Sequence, residues 1–286
     1  MLTPRERIAE FGNEAGDLVG VLCEPRMQDA ASGRRVGVVL LNSGIIHRVG
    51  AHRLNVKIAR AISGLGISSL RFDLAGLGDS RRGRSTAGFA SVASANLMDA
   101  ATFMRLTLQV TDVVVVGLCS GADHAFRTAS LDQSITGLVL IDPYMYPTAG
   151  AKLLYLLRKA TSPAYWAEKT RLWRGIGKPM MQRRENAETR YLRRAPPRAE
   201  FAESLVSFLD RGGKALVIYS GGSPAHFNHR SQFARAFRRW GLGERVTVEY
   251  FEHANHTFTE TGQQRGLISC VSKWIDAAYP LAKGSP

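Results

Sequence analysis

Four consecutive valines, Val113–Val116, run into Gly117-Leu118-Cys119-Ser120-Gly121-Ala122. β-Branched residues suit a pleated strand. A continuous apolar run, with no polar alternation, belongs to a strand covered on both faces. The glycines at 117 and 121 then call for a turn too crowded for side chains, two residues before and two after Cys119. A helical stretch, Ala122 to Leu131, follows. Strand, sharp turn and helix in this order fix the centre of the fold and present one side chain at the turn. The frame decides which one. Centred on Ser120, the flanking residues would be Leu118 and Ala122, and Leu118 is too bulky. Cys119 is therefore the presented residue. A buried cysteine is ordinarily just a small apolar side chain; the glycine frame sets this one apart.

The same rhythm extends along the chain. Leu18–Cys23 reads as an early strand ended by Pro25, after the polar opening Met1–Arg7. Val36–Leu41 is a second buried strand, opening into Asn42-Ser43-Gly44-Ile45-Ile46-His47-Arg48. Residues 52–63 have helical spacing and stop at Gly64 and Gly66. Ile67–Phe72 is a strand leading into Asp73-Leu74-Ala75-Gly76-Leu77-Gly78-Asp79-Ser80, and a helix is expected over Phe89–Leu108. Thr136–Ile141 is another buried strand, ending at Asp142-Pro143. From Tyr144 to about Ser207 only helices are expected. Strands resume at Ala215–Tyr219 and Val246–Phe251, with helices over His229–Trp240 and Gly262–Ala278. Strands alternating with helices predict an α/β fold, a mainly parallel sheet covered by helices on both faces. The expected organisation is a core over residues 1–143, a helical lid insertion over 144–207, and the rest of the core over 208–286.

With 45% apolar residues, 286 residues suffice for a large core. No apolar run approaches the ~20 residues of a membrane span. The polar start offers no apolar signal stretch. Three cysteines, far apart, argue against a disulfide framework and suit a reducing cytoplasm. The net charge of +14 is unevenly placed, with thirteen Lys and Arg against four Asp and Glu in residues 151–200. Such a field attracts anions: acidic carrier proteins, coenzyme-A-like phosphates or an anionic membrane surface. A solvated arginine-rich helical face is the plain alternative. The segment lacks the interleaved aromatics of a single-strand nucleic-acid platform. The histidines and cysteines show no metal-ligand spacing, and nothing calls for a cofactor.

The order of parts is informative. The Cys119 turn follows a middle strand, the helical insertion follows the next strand, and histidines follow the last. This order resembles the α/β-hydrolase fold over nearly the whole chain outside the insertion. Asp73-x-x-Gly76-x-Gly78-x-Ser80 resembles a loop that many of these hydrolases carry before the nucleophile elbow. Leu41-Asn42-Ser43-Gly44 with His47-Arg48, Leu118-Cys119 and His256-Thr257-Phe258-Thr259 resembles the hydrolases associated with exosortase A systems.

A cysteine nucleophile needs a base, a group that orients the base, and donors for an oxyanion. Loops at the carboxyl ends of the strands should supply them. Of the two histidines after the last strand, His253 follows the strand directly. His256 lies deeper in the loop, matches the resembled family's histidine, and is the expected base. The orienting acid often follows the strand ending here at Tyr219, but no Asp or Glu occurs between Asp210 and Glu244. Asp142, one strand earlier, is the expected acid. A Cys–His dyad and Glu252 remain the alternatives. The expected oxyanion donors are the N–H groups of Ser120 and Gly44, with Ile45 as the alternative to Gly44. His47 and Arg48 border the site and are candidate substrate contacts. Asp73 and Asp79 are expected to shape their loop. These features predict an acyl hydrolase (thioesterase or esterase) acting through an acyl-enzyme on Cys119, on a small-molecule acyl ester or thioester, with coenzyme A or an acyl carrier protein as candidate carriers of the acyl group. An acyltransferase delivering to an alcohol or amine, and a non-catalytic docking protein on the same fold, are the alternatives.

Overall fold

The computed structural model describes residues 4–13, 16–25, 35–83, 85–163, 165–167, 170 and 195–280. Eight strands form one sheet: β1 (Arg5–Asn13), β2 (Gly16–Glu24), β3 (Val36–Leu41), β4 (Ser68–Phe72), β5 (Asp112–Leu118), β6 (Ile135–Ile141), β7 (Lys214–Ser220) and β8 (Thr247–Phe251). Their order is β1-β2-β4-β3-β5-β6-β7-β8. The first three in that order pair antiparallel and the rest parallel. The helices are α1 (Leu54–Ser63), α2 (Phe89–Leu108), α3 (Ser120–Ala129), α4 (Ala149–Ala160), α5 (Arg198–Asp210), α6 (Gln232–Ala236), α7 (Leu242–Arg245) and α8 (Thr261–Ala278).

The valines of β5 show why its sequence does not alternate. Val113 and Val115 join a core formed with α2, α3 and α5. Val114 and Val116 join a second core formed with α1 and α8 on the opposite face. Both faces are dry, so every position of the strand is apolar. The amphipathic spacing of α1 buries Leu54, Ile58, Ala59 and Ile62 in that second core.

Two expectations need correction, and one strand, Arg5–Asn13, adds to those expected. β1 is an edge strand paired along its length with β2, and Arg5, Glu6, Arg7 and Glu10 mark it as such. The helix expected over His229–Trp240 is broken: α6 holds only Gln232–Ala236, and a 3₁₀ turn covers Arg238–Trp240. Buried Gln232 accepts from the Asn228 N–H and donates to the His226 carbonyl, which holds the approach to α6 as a loop. Finally, α5 buries Phe201, Ala202, Leu205 and Phe208 in the core. Residues 198–207, expected within the insertion, thus pack with the core.

The turn between β5 and α3 is as crowded as its glycines require. A Cβ on Gly117 would lie 2.6 Å from the Ala122 nitrogen, and one on Gly121 would strike the Asn42 carbonyl oxygen. Both obstacles are backbone and cannot rotate away. Gly117→Ala and Gly121→Ala should each lower stability by at least about 1–3 kcal/mol, read as a lower urea midpoint. On α3, His124 is buried against the edge of Phe89, and its Nε2 has no hydrogen-bond partner. Burial, with a smaller contribution from Arg127, pushes its pKa down to about 4. A depressed value contributes stability above the unfolded pKa of ~6.5 that is lost as pH falls. Thermal melting should therefore drop between about pH 6.5 and 4, and His124→Leu should flatten that drop.

Candidate active site

The parallel strands all end on one edge of the sheet, and the residues singled out from the sequence gather there. Cys119 sits between β5 and α3 with φ 59° and ψ −124°. A non-glycine residue with such a backbone is strained by about 1–3 kcal/mol. Its surroundings hold it: the Cys119 N–H donates to the Ile141 carbonyl at 2.8 Å, and its own carbonyl accepts from Ala122 at 3.0 Å and Asp123 at 3.2 Å. The residue is 8% exposed.

Asp142 ends β6 with a second positive φ, 48°, and is fully buried. Its N–H donates to the Ile218 carbonyl at 2.7 Å. Its carboxylate is well supplied with donors. The Ser220 N–H reaches Oδ1 at 2.7 Å, and the Ser220 hydroxyl reaches Oδ2 at 2.6 Å. His256 Nδ1 lies 2.7 Å from the same Oδ2. A buried carboxylate is tolerable when its oxygens are satisfied in this way. The His256 pKa is pushed up to about 10 by its hydrogen bonds to Asp142 and to the Cys119 thiol, against the opposing effect of burial. Cys119, His256 and Asp142 thus form one connected set, whereas His253 is exposed and faces another cavity.

The loop after β7, which has no acid, serves the site through small residues. Ser220 orients Asp142. A Cβ on Gly222 would lie 2.6 Å from the His256 nitrogen, and one on Gly221 would strike the Glu252 carbonyl. The glycines let the histidine loop settle on the end of β7. Sequence reasoning passed over Ser220; its place as the last residue of a buried strand, beside two glycines, was the available signal.

The Ser120 hydroxyl accepts the Gly44 N–H at 2.7 Å and ties the β3 loop to the start of α3. Ser120's own N–H opens α3, where no preceding helical carbonyl serves it. His47 is exposed, its Nδ1 accepting a long 3.4 Å bond from Val49. Arg48 is engaged otherwise: its guanidinium pairs with Asp73 and, at 2.5 Å, with Asp79, and its N–H donates to Asp73 at 2.5 Å. Asp73 and Asp79 therefore hold Arg48 in the loop framework.

Two cavities flank this edge. One, of about 310 Å³, is lined largely by apolar groups, including Ile45, Ala75, Leu77, Phe89 and Val92. The other, of about 440 Å³, is lined by Arg158, His229, Arg230, Glu252 and His253, among others. Among the described residues, no helix is long and apolar enough to cross a membrane. Of the aromatic and leucine residues singled out in the insertion, Leu153, Leu157 and Trp166 are exposed, Tyr165 is partly buried, and Trp173 lies outside the described residues.

Comparison with known proteins agrees with the fold. A family model described as alpha/beta hydrolase fold matches residues 37–175. No curated protein matches the chain. Among solved structures, an esterase of Pyrococcus furiosus superposes with a TM-score of 0.62 at 16% identity, covering 96% of this chain and 91% of its own. An α/β serine hydrolase without lid from Xanthomonas campestris gives 0.57 at 15% identity, covering 98% and 97%. Dienelactone hydrolase from Anabaena variabilis gives 0.56 at 15% identity, covering 96% and 99%. The chain has the α/β-hydrolase fold, with a cysteine at the turn between the central strand and its helix.

Proposed function

We propose that the protein is a cysteine-dependent acyl hydrolase whose catalytic groups are Cys119, His256 and Asp142. One observation carries this reading: a strained, presented cysteine shares hydrogen bonding with a histidine whose other nitrogen is held by a buried carboxylate. The esterase and dienelactone hydrolase neighbours point to the same reaction class.

In this mechanism the resting pair is thiolate and imidazolium. The Cys119 sulfur attacks the acyl carbonyl carbon, and the N–H groups of Ser120 and Gly44 stabilise the oxyanion. Gly44's N–H is drawn off the Ser120 hydroxyl for this purpose. The bond from carbon to the leaving group breaks, and His256 gives its proton to that group. Water then attacks the acyl-enzyme while neutral His256 takes its proton, and the Cys119 thiolate departs. Asp142 keeps His256 in the correct tautomer throughout.

Thioesters fit this chemistry better than oxoesters. A thiolate attacking an oxoester makes a higher-energy thioester, whereas attack on a thioester exchanges like for like. The apolar cavity beside Ile45 adjoins Gly44 and suits an acyl chain. The lid expected over residues 144–207 lies in part outside the described residues. The low exposure of Cys119 favours acyl transfer to an alcohol or amine as the second reading. The free cysteines suit the cytoplasm, and the motif resemblance suggests service in an exosortase A system.

Intact-mass spectrometry after incubation with acyl thioesters and matched oxoesters tests the mechanism. An acyl adduct on the wild type, absent from Cys119→Ala, with faster turnover of thioesters, is expected. Equal or faster oxoester turnover would sink the thioester preference, and release onto an added amine in place of water would establish transfer. Asp142→Asn should lower kcat by on the order of a hundredfold or more.

The ion pair has its own signature. Burial raises the thiols of Cys23 and Cys270 to about 11, so alkylation at neutral pH should select Cys119. Its rate should stay high below pH 7, instead of rising through the ~8.5 of a free thiol. Because the His256 value is raised, its stabilising contribution is complete below the ordinary 6.5 and is lost as pH rises through about 10. The melting temperature of the wild type should fall over that range relative to His256→Gln.

A further inference from the structure

The larger cavity lies away from the reacting sulfur, yet it is joined to the site. Its wall includes Phe251, Glu252 and His253, just ahead of His256 in the same loop. That wall is pinned to the end of β7, where the Gly221 N–H donates to the Phe251 carbonyl at 2.9 Å, next to the Ser220 that holds Asp142. Arg158 of α4 forms the opposite side.

The charge around this cavity is mostly positive. Arg158 and Arg230 contribute guanidinium groups, and His229 and His253 contribute imidazoles. Glu252 is the one carboxylate in the lining, paired with Arg158 at 3.3 Å with both side chains 50% exposed. An ion pair that exposed is worth about 0–1 kcal/mol, so Arg158 can leave it for a better acceptor. The His229 pKa is lowered by burial and by the charges of Arg235 and Arg158. The cavity therefore lacks the negative charge that would balance its cations. Its volume of about 440 Å³ suits a ligand group.

Sheet order places the two cavities on opposite sides of Cys119. The loops after β3 and β4, which border the apolar cavity, lie on one side of β5, and β8 lies on the other. β8 is three strands from β5, about 14 Å at the ~4.8 Å spacing of paired strands. A group bound at the basic cavity while the acyl carbonyl sits at Cys119 must therefore be joined to that carbonyl through an extended arm.

We propose that the basic cavity binds a phosphate group at the far end of the substrate's thiol arm, while the acyl chain occupies the apolar cavity on the other side. This rests on the thioester reading above and specifies its substrate as a thioester of a long, phosphate-bearing thiol. Two guanidinium groups suit a phosphate.

The test separates binding from catalysis. Coenzyme A is titrated calorimetrically into the Cys119→Ala protein, with and without the added pair Arg158→Ala and Arg230→Ala. The expected result is binding that weakens about tenfold or more without the arginines, and that weakens with salt. The His229 titration, followed by NMR, should move upward when coenzyme A binds, because a nearby anion favours the imidazolium. In the otherwise wild-type protein, the arginine pair should lower the kcat/KM ratio of an acyl coenzyme A to a short uncharged thioester by a similar factor. An unchanged affinity without the arginines, or an unmoved His229 at saturation, would overturn the proposal. So would inorganic phosphate binding as tightly as coenzyme A, which would mark a site for free anions. Arginine-dependent binding without any acyl adduct on the wild type would uphold the subsite and remove the catalytic reading. An adduct with uncharged thioesters, alongside arginine-independent coenzyme A binding, would do the reverse.

Discussion

The packing of one backbone turn against its neighbours underlies the rest of this structure. Gly117 meets Gly121 and Ala122, and Gly121 meets the carbonyl of Asn42 at the end of β3. These contacts bring three elements closer than side chains permit. They set the start of α3 against the β3 loop, which lets the Ser120 hydroxyl take the Gly44 N–H. They also fix the strained Cys119 backbone, which a hydrogen bond to Ile141 ties to the next strand. The reach from Cys119 to His256 and Asp142 follows from that placement.

Support for the histidine is built in layers across three strand ends. β6 supplies Asp142, β7 supplies Ser220 and two glycines, and the loop after β8 supplies His256. Asp142 is itself held in a left-handed conformation by the Ile218 carbonyl. A buried carboxylate with three donors has little freedom to turn, and it passes that restriction to the imidazole. The site's geometry is thus carried largely by sheet register, which is more rigid than the loops that present it.

Much of this was legible from residue order. The valines of β5 announced a strand covered on both faces, and the glycines around Cys119 announced a crowded turn. The absence of acids between Asp210 and Glu244 directed attention to Asp142, and the structure brings that residue to His256. What could not be read depended on tertiary partners. β1 has few apolar residues because it is an edge, and its pairing with β2 defines it. Ser220 and Ser120 look like ordinary small residues until the groups they bond are in place. Arg48 looked available to a substrate, yet carboxylates six residues apart, Asp73 and Asp79, occupy it. The break before α6 comes from Gln232 bonding backward to its own loop.

The grip on Cys119 has one more consequence. The bonds to Ile141, Ala122 and Asp123 that hold its strained backbone are made by backbone N–H and carbonyl groups, and the crowding comes from neighbouring glycines and carbonyls. None of that depends on what atom stands beyond Cβ. The scaffold therefore leaves the identity of the atom beyond Cβ open, and sulfur and oxygen can be exchanged at this position without rebuilding the turn. In this architecture the fold of the turn and the chemical nature of the side chain it presents are separable at a single atom, so one can change without a misfolded intermediate sequence.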